Sequence, residues 1–140
     1  MSPVHVAIAI LTREDKFLMQ LRDDIPGIAY PGYWALFGGH IEPGETPEVA
    51  VAREVLEEIT YNCREFTFFG LDQDEKTIRH VFHAPLTVEL SQLVLHEGWD
   101  MQLLTPEDIR AGRCYSAKSG DMRLLAPPPQ RILLKFLAQS

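Results

Sequence analysis

The first third of the chain alternates between short apolar runs and polar turns. The segments VHVAIAIL (residues 4–11) and KFLMQL (residues 16–21) are rich in apolar and β-branched residues, and a short charged stretch separates them. This pattern is typical of a buried β-hairpin. A loop rich in proline and glycine follows over residues 23–33, and the apolar segment WALF (residues 34–37) leads into the turn GGHIEPGE (residues 38–45). The pattern therefore predicts strands that deliver the chain to a tight glycine turn.

A helix is predicted directly after this turn. Thr46 is a suitable N-cap and Pro47 suits the first helical position. From Pro47 to Ile59 the apolar residues recur at helical spacing, at the positions Val49, Ala52, Leu56 and Ile59.

The second half of the chain predicts more strands and two further helices. The strand candidates are residues 63–71, residues 77–90 and, more weakly, residues 93–97. Pro85 lies inside the second candidate and indicates an edge strand or a bulge. Thr105 and Pro106 open a helix in a pattern close to a capping box. A short amphipathic helix is predicted over residues 130–139, after the prolines at 127–129.

Length and composition are those of one globular domain spanning residues 1–140. The hydrophobic content is 46% and the charged content is 24%, as in ordinary folded proteins. The sequence has neither an apolar run of membrane-spanning length nor a basic segment that would start a secretory signal, so we expect a cytoplasmic protein without a membrane partner. Cys63 and Cys114 have no CxxC spacing and are expected to be reduced thiols.

The charge balance narrows the class of ligand. Thirteen basic and 20 acidic residues give a formal net charge of −7, which argues against a broad nucleic-acid-binding surface. Small anionic substrates remain compatible with this charge, because a bound cation can invert the local field.

The stretch REVLEE concentrates negative charge on one helical face. At about 100° per residue, Glu57 lies about 60° to one side of Glu54, and Glu58 lies about 40° to the other. Like charges at this spacing repel and destabilise a helix. Either the face is solvated, or something positive lies against it.

The residues around the three glutamates resemble the motif of the Nudix hydrolase family. The family motif is G-x5-E-x7-R-E-U-x-E-E-x-G-U, where U is aliphatic, and the sequence GGHIEPGETPEVAVAREVLEEITY matches it at every charged position. In length the chain resembles the MutT-like branch. Two positions depart from the motif, since Thr60 replaces its last glycine and Tyr61 replaces an aliphatic residue. Phe37 stands where many relatives have proline.

The resemblance implies a fold and an activity. The fold would be a Nudix-type α/β/α sandwich with a mixed central β-sheet. The reaction would be divalent-metal-dependent hydrolysis, at a phosphoric anhydride bond, of a nucleoside diphosphate linked to another moiety X. Mg²⁺ or Mn²⁺ would be the cofactor, because both prefer oxygen ligands.

The resemblance also assigns roles to residues of the motif. Glu54, Glu57 and Glu58 would be metal ligands together with the Gly38 carbonyl, and Glu54 could instead orient or deprotonate the attacking water. Arg53 and Glu45 would form a structural ion pair that braces the loop.

Candidate site residues outside the motif are supported by less. Glu97 is the candidate for a late acidic ligand or base, and a solvated loop glutamate is the alternative. Arg22 could contact phosphate or form a surface salt bridge. Tyr33 and Trp34 could stack on a base, as could Phe37 and Trp99, although aromatic residues beside short strands more often belong to the core. His40, His80 and His83 could touch substrate but are more often structural or exposed.

Several functional alternatives stay open. The first expectation is a MutT-like nucleoside triphosphate pyrophosphohydrolase, and an ADP-ribose or nucleotide-sugar pyrophosphatase is the alternative. A non-catalytic nucleotide sensor is the alternative from a different class. A homodimer is possible because many relatives of this family are dimers.

Overall fold

The computed structural model describes residues 2–139. Its helices and strands, in chain order, are β1 (Val4–Arg13), β2 (Lys16–Leu21), β3 (Trp34–Ala35), β4 (Phe37–His40), α1 (Pro47–Ile59), β5 (Thr67–Gln73), β6 (Thr77–Pro85), β7 (Asp100–Leu104), α2 (Pro106–Ala111), β8 (Arg113–Ser116), β9 (Asp121–Leu124) and α3 (Pro127–Ala138). A single turn of 3₁₀ helix lies at Leu90–Gln92. No helix within these residues is both long and apolar enough to cross a lipid bilayer.

Strand β1 organises the main sheet. Within the described residues, seven strands form this sheet; five run in the order β3-β2-β1-β6-β5, while β4 pairs with β1 and β7 pairs with β2. The β1–β6 pairing is parallel and the other strand pairs are antiparallel, so the sheet is mixed as predicted. Strands β8 and β9 form a separate antiparallel hairpin.

Helices cover both faces of the sheet. Successive side chains of a strand point to opposite faces, and along β1 the residues Ala7, Ala9 and Leu11 join one hydrophobic cluster with the buried side of α1. Ile10 joins the other cluster, which includes Ile109 of α2 and Ile132 and Leu133 of α3. The expected α/β/α sandwich is confirmed.

Helix α1 buries a different stripe from the one predicted. Its buried residues are Ala50, Val51, Val55 and Ile59, whereas Val49 is 57% exposed and Leu56 is 45% exposed. The sequence carries apolar residues on two sides of this helix, and spacing alone did not show which side faces the sheet. Because Val51, Val55 and Ile59 are buried, the neighbouring Glu54 and Glu58 lie at the edge of the core.

Other boundaries also differ from the prediction. Strand β5 begins at Thr67 rather than at residue 63, because the connecting residues Tyr61 and Cys63 are buried under the end of α1. Strand β6 ends at Pro85, which cannot donate a ladder hydrogen bond. Residues 93–97 form no strand, strands β7 to β9 were not predicted, and α3 begins at Pro127, since proline is tolerated in a first helical turn.

A partly buried carboxylate joins α3 to the edge of the sheet. Asp72 of β5 accepts two hydrogen bonds of 2.8 Å from Arg131 of α3 and one of 3.2 Å from Arg79 of β6. The Arg131 guanidinium is the main cause that lowers the pKa of Asp72. The bidentate contact is therefore a strong link between helix and sheet.

We expect Asp72→Asn to lower the free energy of unfolding by about 2 kcal/mol at neutral pH, because charge-assisted hydrogen bonds are lost. A carboxylate with a lowered folded-state pKa contributes stability above its unfolded pKa of 3.8, and this contribution is lost as the pH falls. The difference between variant and wild type should therefore shrink in acid. Urea unfolding at several pH values measures this difference in stability. The control is Glu107→Gln, which removes an exposed ion pair to Arg110. Equal stability of Asp72→Asn and wild type at pH 7 would contradict this account.

Candidate active site

The strand–turn–helix unit β4–α1 brings the motif residues together. Thr46 caps α1 by accepting a hydrogen bond of 3.2 Å from the Val49 amide, as predicted. Strand β4 pairs with β1 in a register that sets Gly38 opposite Ile8 and Gly39 opposite Ala7. The Gly38 amide donates a hydrogen bond of 2.8 Å to Glu58 Oε1. The glycine turn and the acidic face of α1 are thus in direct contact.

Gly39 lies so close to Glu54 that a larger residue would displace the Glu54 carboxylate. A Cβ atom at Gly39 would lie 2.5 Å from Glu54 Cδ, and one at Gly38 would lie 2.1 Å from the Ala7 carbonyl oxygen. Gly38 also has a φ of +150°, a backbone conformation that side chains disfavour. The two glycines are therefore required for different reasons. Gly39 leaves room for the Glu54 side chain, and Gly38 allows β4 to pair closely with the backbone of β1.

We expect Gly39→Ala to reduce activity by displacing the Glu54 carboxylate while the fold survives, because a flexible side chain can move aside. Gly38→Ala should instead lower the melting temperature strongly, because its Cβ meets backbone. Thermal unfolding and initial rates, measured on both variants, separate the two effects. Full activity of Gly39→Ala would show that the position of Glu54 does not matter.

Arg53 is the positive group that lies against the acidic face. Its Nε and Nη2 donate hydrogen bonds of 2.7 and 2.9 Å to the Glu45 carboxylate, and its Nη1 lies 3.0 Å from Glu54 Oε1 and 3.4 Å from Glu57 Oε1. Nη2 also donates to the His40 carbonyl at 3.1 Å. One guanidinium therefore ties the loop before α1 to two of the three glutamates.

The charges in this network are strongly coupled. The hydrogen bond from Arg53 is the main cause that lowers the pKa of Glu45 to about 2, and the same bond raises the pKa of Arg53. The contact between Arg53 and Glu45 agrees with the ion pair that the motif implies. Because Arg53 also reaches Glu54 and Glu57, it relieves the like-charge repulsion on the helix.

Glu58 has a different environment from the other two glutamates. Burial raises its pKa to about 8, the nearby Glu54 charge adds to this effect, and the hydrogen bond from the Gly38 amide opposes it. Ionisation of Glu58 at neutral pH is therefore costly unless positive charge enters the site.

The acidic face lines a cavity of about 360 Å³. Glu54, Glu57 and Glu58 line it from α1, Glu97 lines it from the loop before β7, and Arg22 lines it from the end of β2. The structure thus brings the three glutamates of α1, Glu97 and Arg22 to one cavity, although they come from distant parts of the sequence.

The donor set fits a hard divalent cation. No three histidine, cysteine or carboxylate side chains within residues 2–139 close around one point as a metal cage; Glu54 accepts a hydrogen bond from Arg53, and Glu58 accepts one from the Gly38 amide. The carboxylates offer only oxygen donors, and an ionised carboxylate accepts more than one bond. Mg²⁺ and Mn²⁺ prefer such ligands and keep several waters, so an open cavity with carboxylates on its walls suits them.

Arg22 separates this cavity from a second one. The second cavity has about 300 Å³, and Arg22, Gly38 and Gly39 line it together with apolar residues of β1 and α3. Arg22 Nε is buried and has no hydrogen-bond partner among the described residues. A buried donor without a partner is costly, so the hydrogen bonding of this guanidinium is incomplete within the described residues.

The aromatic candidates differ in access. Trp34 is fully buried, and its indole Nε1 donates to the Cys114 carbonyl at 3.0 Å, so the expectation that it stacks on a base is not supported. Tyr33 is partly buried and packs against Tyr30. Tyr30 lines the second cavity. It was not among the residues predicted from the sequence. Phe37 is buried in the core.

Gln20 lines the glutamate cavity and was not predicted from the sequence. This residue is 7% exposed, and its side chain helps to lower the pKa of Glu58 against the larger effect of burial. One signal was present, because Gln20 is a polar residue in the otherwise apolar run FLMQL. Of the histidine candidates, His40 lines the second cavity, His80 pairs with His5 and His83 packs against Phe136.

Comparison with known proteins agrees with this geometry. Residues 1–123 match the family model of the NUDIX domain. A Bacillus subtilis (strain 168) protein named for 8-oxo-dGTP diphosphatase activity is 33% identical over 82 residues, which are 57% of this chain and 51% of that protein. An RNA pyrophosphohydrolase of Gluconobacter oxydans (strain 621H) is 43% identical over 61 residues, 43% of this chain and 34% of that protein. The chain thus spans about half or less of these curated relatives.

Solved structures support the same fold. The MutT protein from Methanosarcina mazei Go1 superposes with a TM-score of 0.74 at 20% identity, covering 99% of this chain and 96% of that one. Sequence identity at this level supports the fold alone, whereas the family model covers most of the chain. The chain therefore belongs to the NUDIX domain family.

Proposed function

We propose that this chain hydrolyses a nucleoside diphosphate linked to another moiety X, and that the reaction requires Mg²⁺ or Mn²⁺. One observation carries the proposal: Glu54, Glu57, Glu58 and Glu97 line a single cavity beside Arg22. Four carboxylates around one cavity repel an anionic substrate unless a cation is bound with it. A divalent cation bound together with a diphosphate would balance the negative charge of both the carboxylates and the substrate.

Glu54, Glu57 and Glu58 would hold the cation, with the Gly38 carbonyl as a further ligand. When bound, a divalent cation neutralises phosphate charge and makes hydroxide available from water near neutral pH. Glu54 could alternatively orient or deprotonate the attacking water. Glu97, on the loop before β7, would serve as a further ligand or as the base.

The remaining residues would bind the substrate or hold the glutamates in position. Arg22 borders both cavities, so a phosphate held by its guanidinium would leave the base to enter the second, mainly apolar cavity beside Tyr30. Arg53 and Glu45 do not line the glutamate cavity. They would act by holding Glu54, Glu57 and the glycine turn in position.

A nucleoside triphosphate is the first substrate class we propose, with pyrophosphate as the second product. The names of the relatives, an 8-oxo-dGTP diphosphatase and an RNA pyrophosphohydrolase, support the class of bond cleaved. ADP-ribose or a nucleotide sugar is the alternative, because the two cavities also suit a base with a diphosphate. We further propose that the chain is one cytoplasmic domain that acts on small nucleotides rather than on nucleic acid, and that it can form homodimers.

A nucleotide sensor that binds without cleaving is the candidate from a different class. Product release with Mg²⁺ or Mn²⁺ distinguishes it, measured over nucleoside triphosphates, oxidised nucleotides, ADP-ribose, nucleotide sugars and dinucleoside polyphosphates. Metal-dependent turnover that Glu58→Gln abolishes and Glu48→Gln retains would support the hydrolase. Tight binding of one compound without turnover of any would replace it with the sensor.

A further inference from the structure

Thr60 ends helix α1 in a backbone conformation that threonine disfavours. Its φ of 58° and ψ of 35° are left-handed, and its amide donates to the Leu56 carbonyl at 3.0 Å. The family motif has glycine here, which adopts this conformation without cost. A β-branched residue in this region is strained. Such strain persists where the surroundings stabilise it, and it is frequent at functional sites.

The Thr60 side chain bonds to the loop that follows the 3₁₀ turn. Thr60 Oγ1 lies 2.7 Å from His96 Nε2. The same loop is joined to α1 by its backbone, because the Val94 amide donates to the Ile59 carbonyl and the His96 amide to the Glu58 carbonyl, both at 3.1 Å. Residues 94–98, which we call the strap, therefore lie across the last turn of the helix that carries the glutamates.

The strap forms one wall of the glutamate cavity. His96, Glu97 and Gly98 all line it, and the Trp99 amide fixes the far end of the strap to the Leu21 carbonyl at 2.8 Å. Glu97 itself is exposed and has no side-chain hydrogen bond or ion pair within residues 2–139. Its position relative to Glu54, Glu57 and Glu58 therefore depends on how firmly the strap is held.

We propose that Thr60 is a positioning residue of this site, which acts through His96 to hold the strap and thereby keep Glu97 facing the glutamates of α1. This inference rests on the proposed function and adds a residue to it. The hydroxyl supplies a contact that glycine cannot make, and the left-handed strain is the cost of placing it there. Replacement of Thr60 by the family's glycine should then relieve the backbone strain and at the same time loosen the strap that carries Glu97.

The test compares Thr60→Gly with three other variants. Thr60→Ser keeps the hydroxyl, His96→Ala removes its partner, and the double variant Thr60→Gly/His96→Ala completes a cycle. Glu14→Gly is the matched control, since Glu14 also has a positive φ of 55° but lies in the β1–β2 turn and lines neither cavity. Each protein is measured for melting temperature, for kcat and KM, and for amide hydrogen exchange of residues 94–99.

We expect Thr60→Gly to lower kcat roughly three- to tenfold, the size expected for one hydrogen bond, without lowering the melting temperature. Thr60→Ser should restore kcat, and the double variant should be no worse than His96→Ala alone. Exchange in the strap should be faster in Thr60→Gly and His96→Ala and unchanged in Glu14→Gly. Glu14→Gly should keep wild-type kcat.

Three results would overturn the proposal: wild-type kcat in Thr60→Gly, additive losses in the double variant, or unchanged exchange in the strap. A loss of kcat that accompanies a lower melting temperature and is not rescued by serine would assign Thr60 a structural role only, and would also overturn it. If wild type itself turns over no compound, the proposed function fails and the positioning role with it. Exchange would then show separately whether the strap depends on Thr60.

Discussion

Glu58→Gln is expected to lower kcat/KM by roughly 10²–10³-fold, the loss seen when a charge-stabilising group is removed from an active site. Glu58 is partly buried, and its carboxylate accepts a hydrogen bond from the Gly38 amide. Glutamine keeps the shape of the side chain but cannot provide a negative ligand. Steady-state kinetics with saturating Mg²⁺ or Mn²⁺ measures the loss.

The same variant should be more stable than wild type when metal is removed by a chelator. In the folded, metal-free protein the pKa of Glu58 is raised from 4.5 to about 8. Between these values the unfolded state is ionised while the folded state keeps its proton, so wild-type stability falls as the pH rises from 4.5 towards 8. Glutamine does not titrate, and its advantage should grow over this range.

Glu48→Gln is the matched control, because Glu48 lies exposed in the first turn of the same helix and does not line the glutamate cavity. It should keep wild-type activity and show no pH-dependent gain in stability. If Glu58→Gln instead retained activity, the assignment of Glu58 as a ligand would be wrong. If its stability relative to wild type did not change with pH, the raised pKa of Glu58 would be wrong.

Arg53→Lys is expected to lower kcat/KM by roughly 10–100-fold, the usual effect of losing a group that orients metal ligands. Lysine keeps the charge, but it cannot bond Glu45 at two points while also reaching Glu54 and the His40 carbonyl. Arginine and lysine are not interchangeable at such a bidentate site. The loss should therefore arise from the positions of the glutamates rather than from net charge.

Acid unfolding tests the structural role of Arg53 independently of enzymatic activity. Its hydrogen bond holds the pKa of Glu45 at about 2, against 4.5 in the unfolded chain. The resulting stability is present above pH 4.5 and is lost as the pH falls towards 2. Arg53→Lys should therefore unfold at a higher pH than wild type, while Arg110→Lys, in an exposed ion pair, should not. If Arg53→Lys had the same kcat/KM and unfolded at the same acid pH as wild type, this role of Arg53 would be refuted.

The motif was readable from the sequence because its chemistry is local. Spacing placed the three glutamates on one face of a helix, and the resemblance to the family motif implied the pairing of Arg53 with Glu45. The hairpin of β1 and β2, the cap at Thr46 and the start of α2 were readable for the same reason. Each depends on residues a few positions apart.

What the sequence did not reveal depends on contacts between distant segments. The buried side of α1 is decided by the sheet it packs on, so the apolar Val49 and Leu56 were misleading. Trp34 is a core residue because α2, α3 and the β8–β9 hairpin cover it, and these elements come far later in the chain. The second cavity likewise requires β1, β4 and α3 to be adjacent, and the position of Gln20 in the glutamate cavity requires β2 to lie near α1. Tyr61, at an aliphatic position of the motif, is buried because its hydroxyl reaches the Pro85 carbonyl at 2.8 Å.

Calorimetric titration of the chelator-treated protein with Mn²⁺ tests the central claim most directly. The account predicts saturable binding by wild type, strongly weakened binding by Glu58→Gln and unchanged binding by Glu48→Gln. A wild-type protein that binds no Mn²⁺ would contradict it. The acidic face of α1 would then be a solvated surface balanced by Arg53 alone.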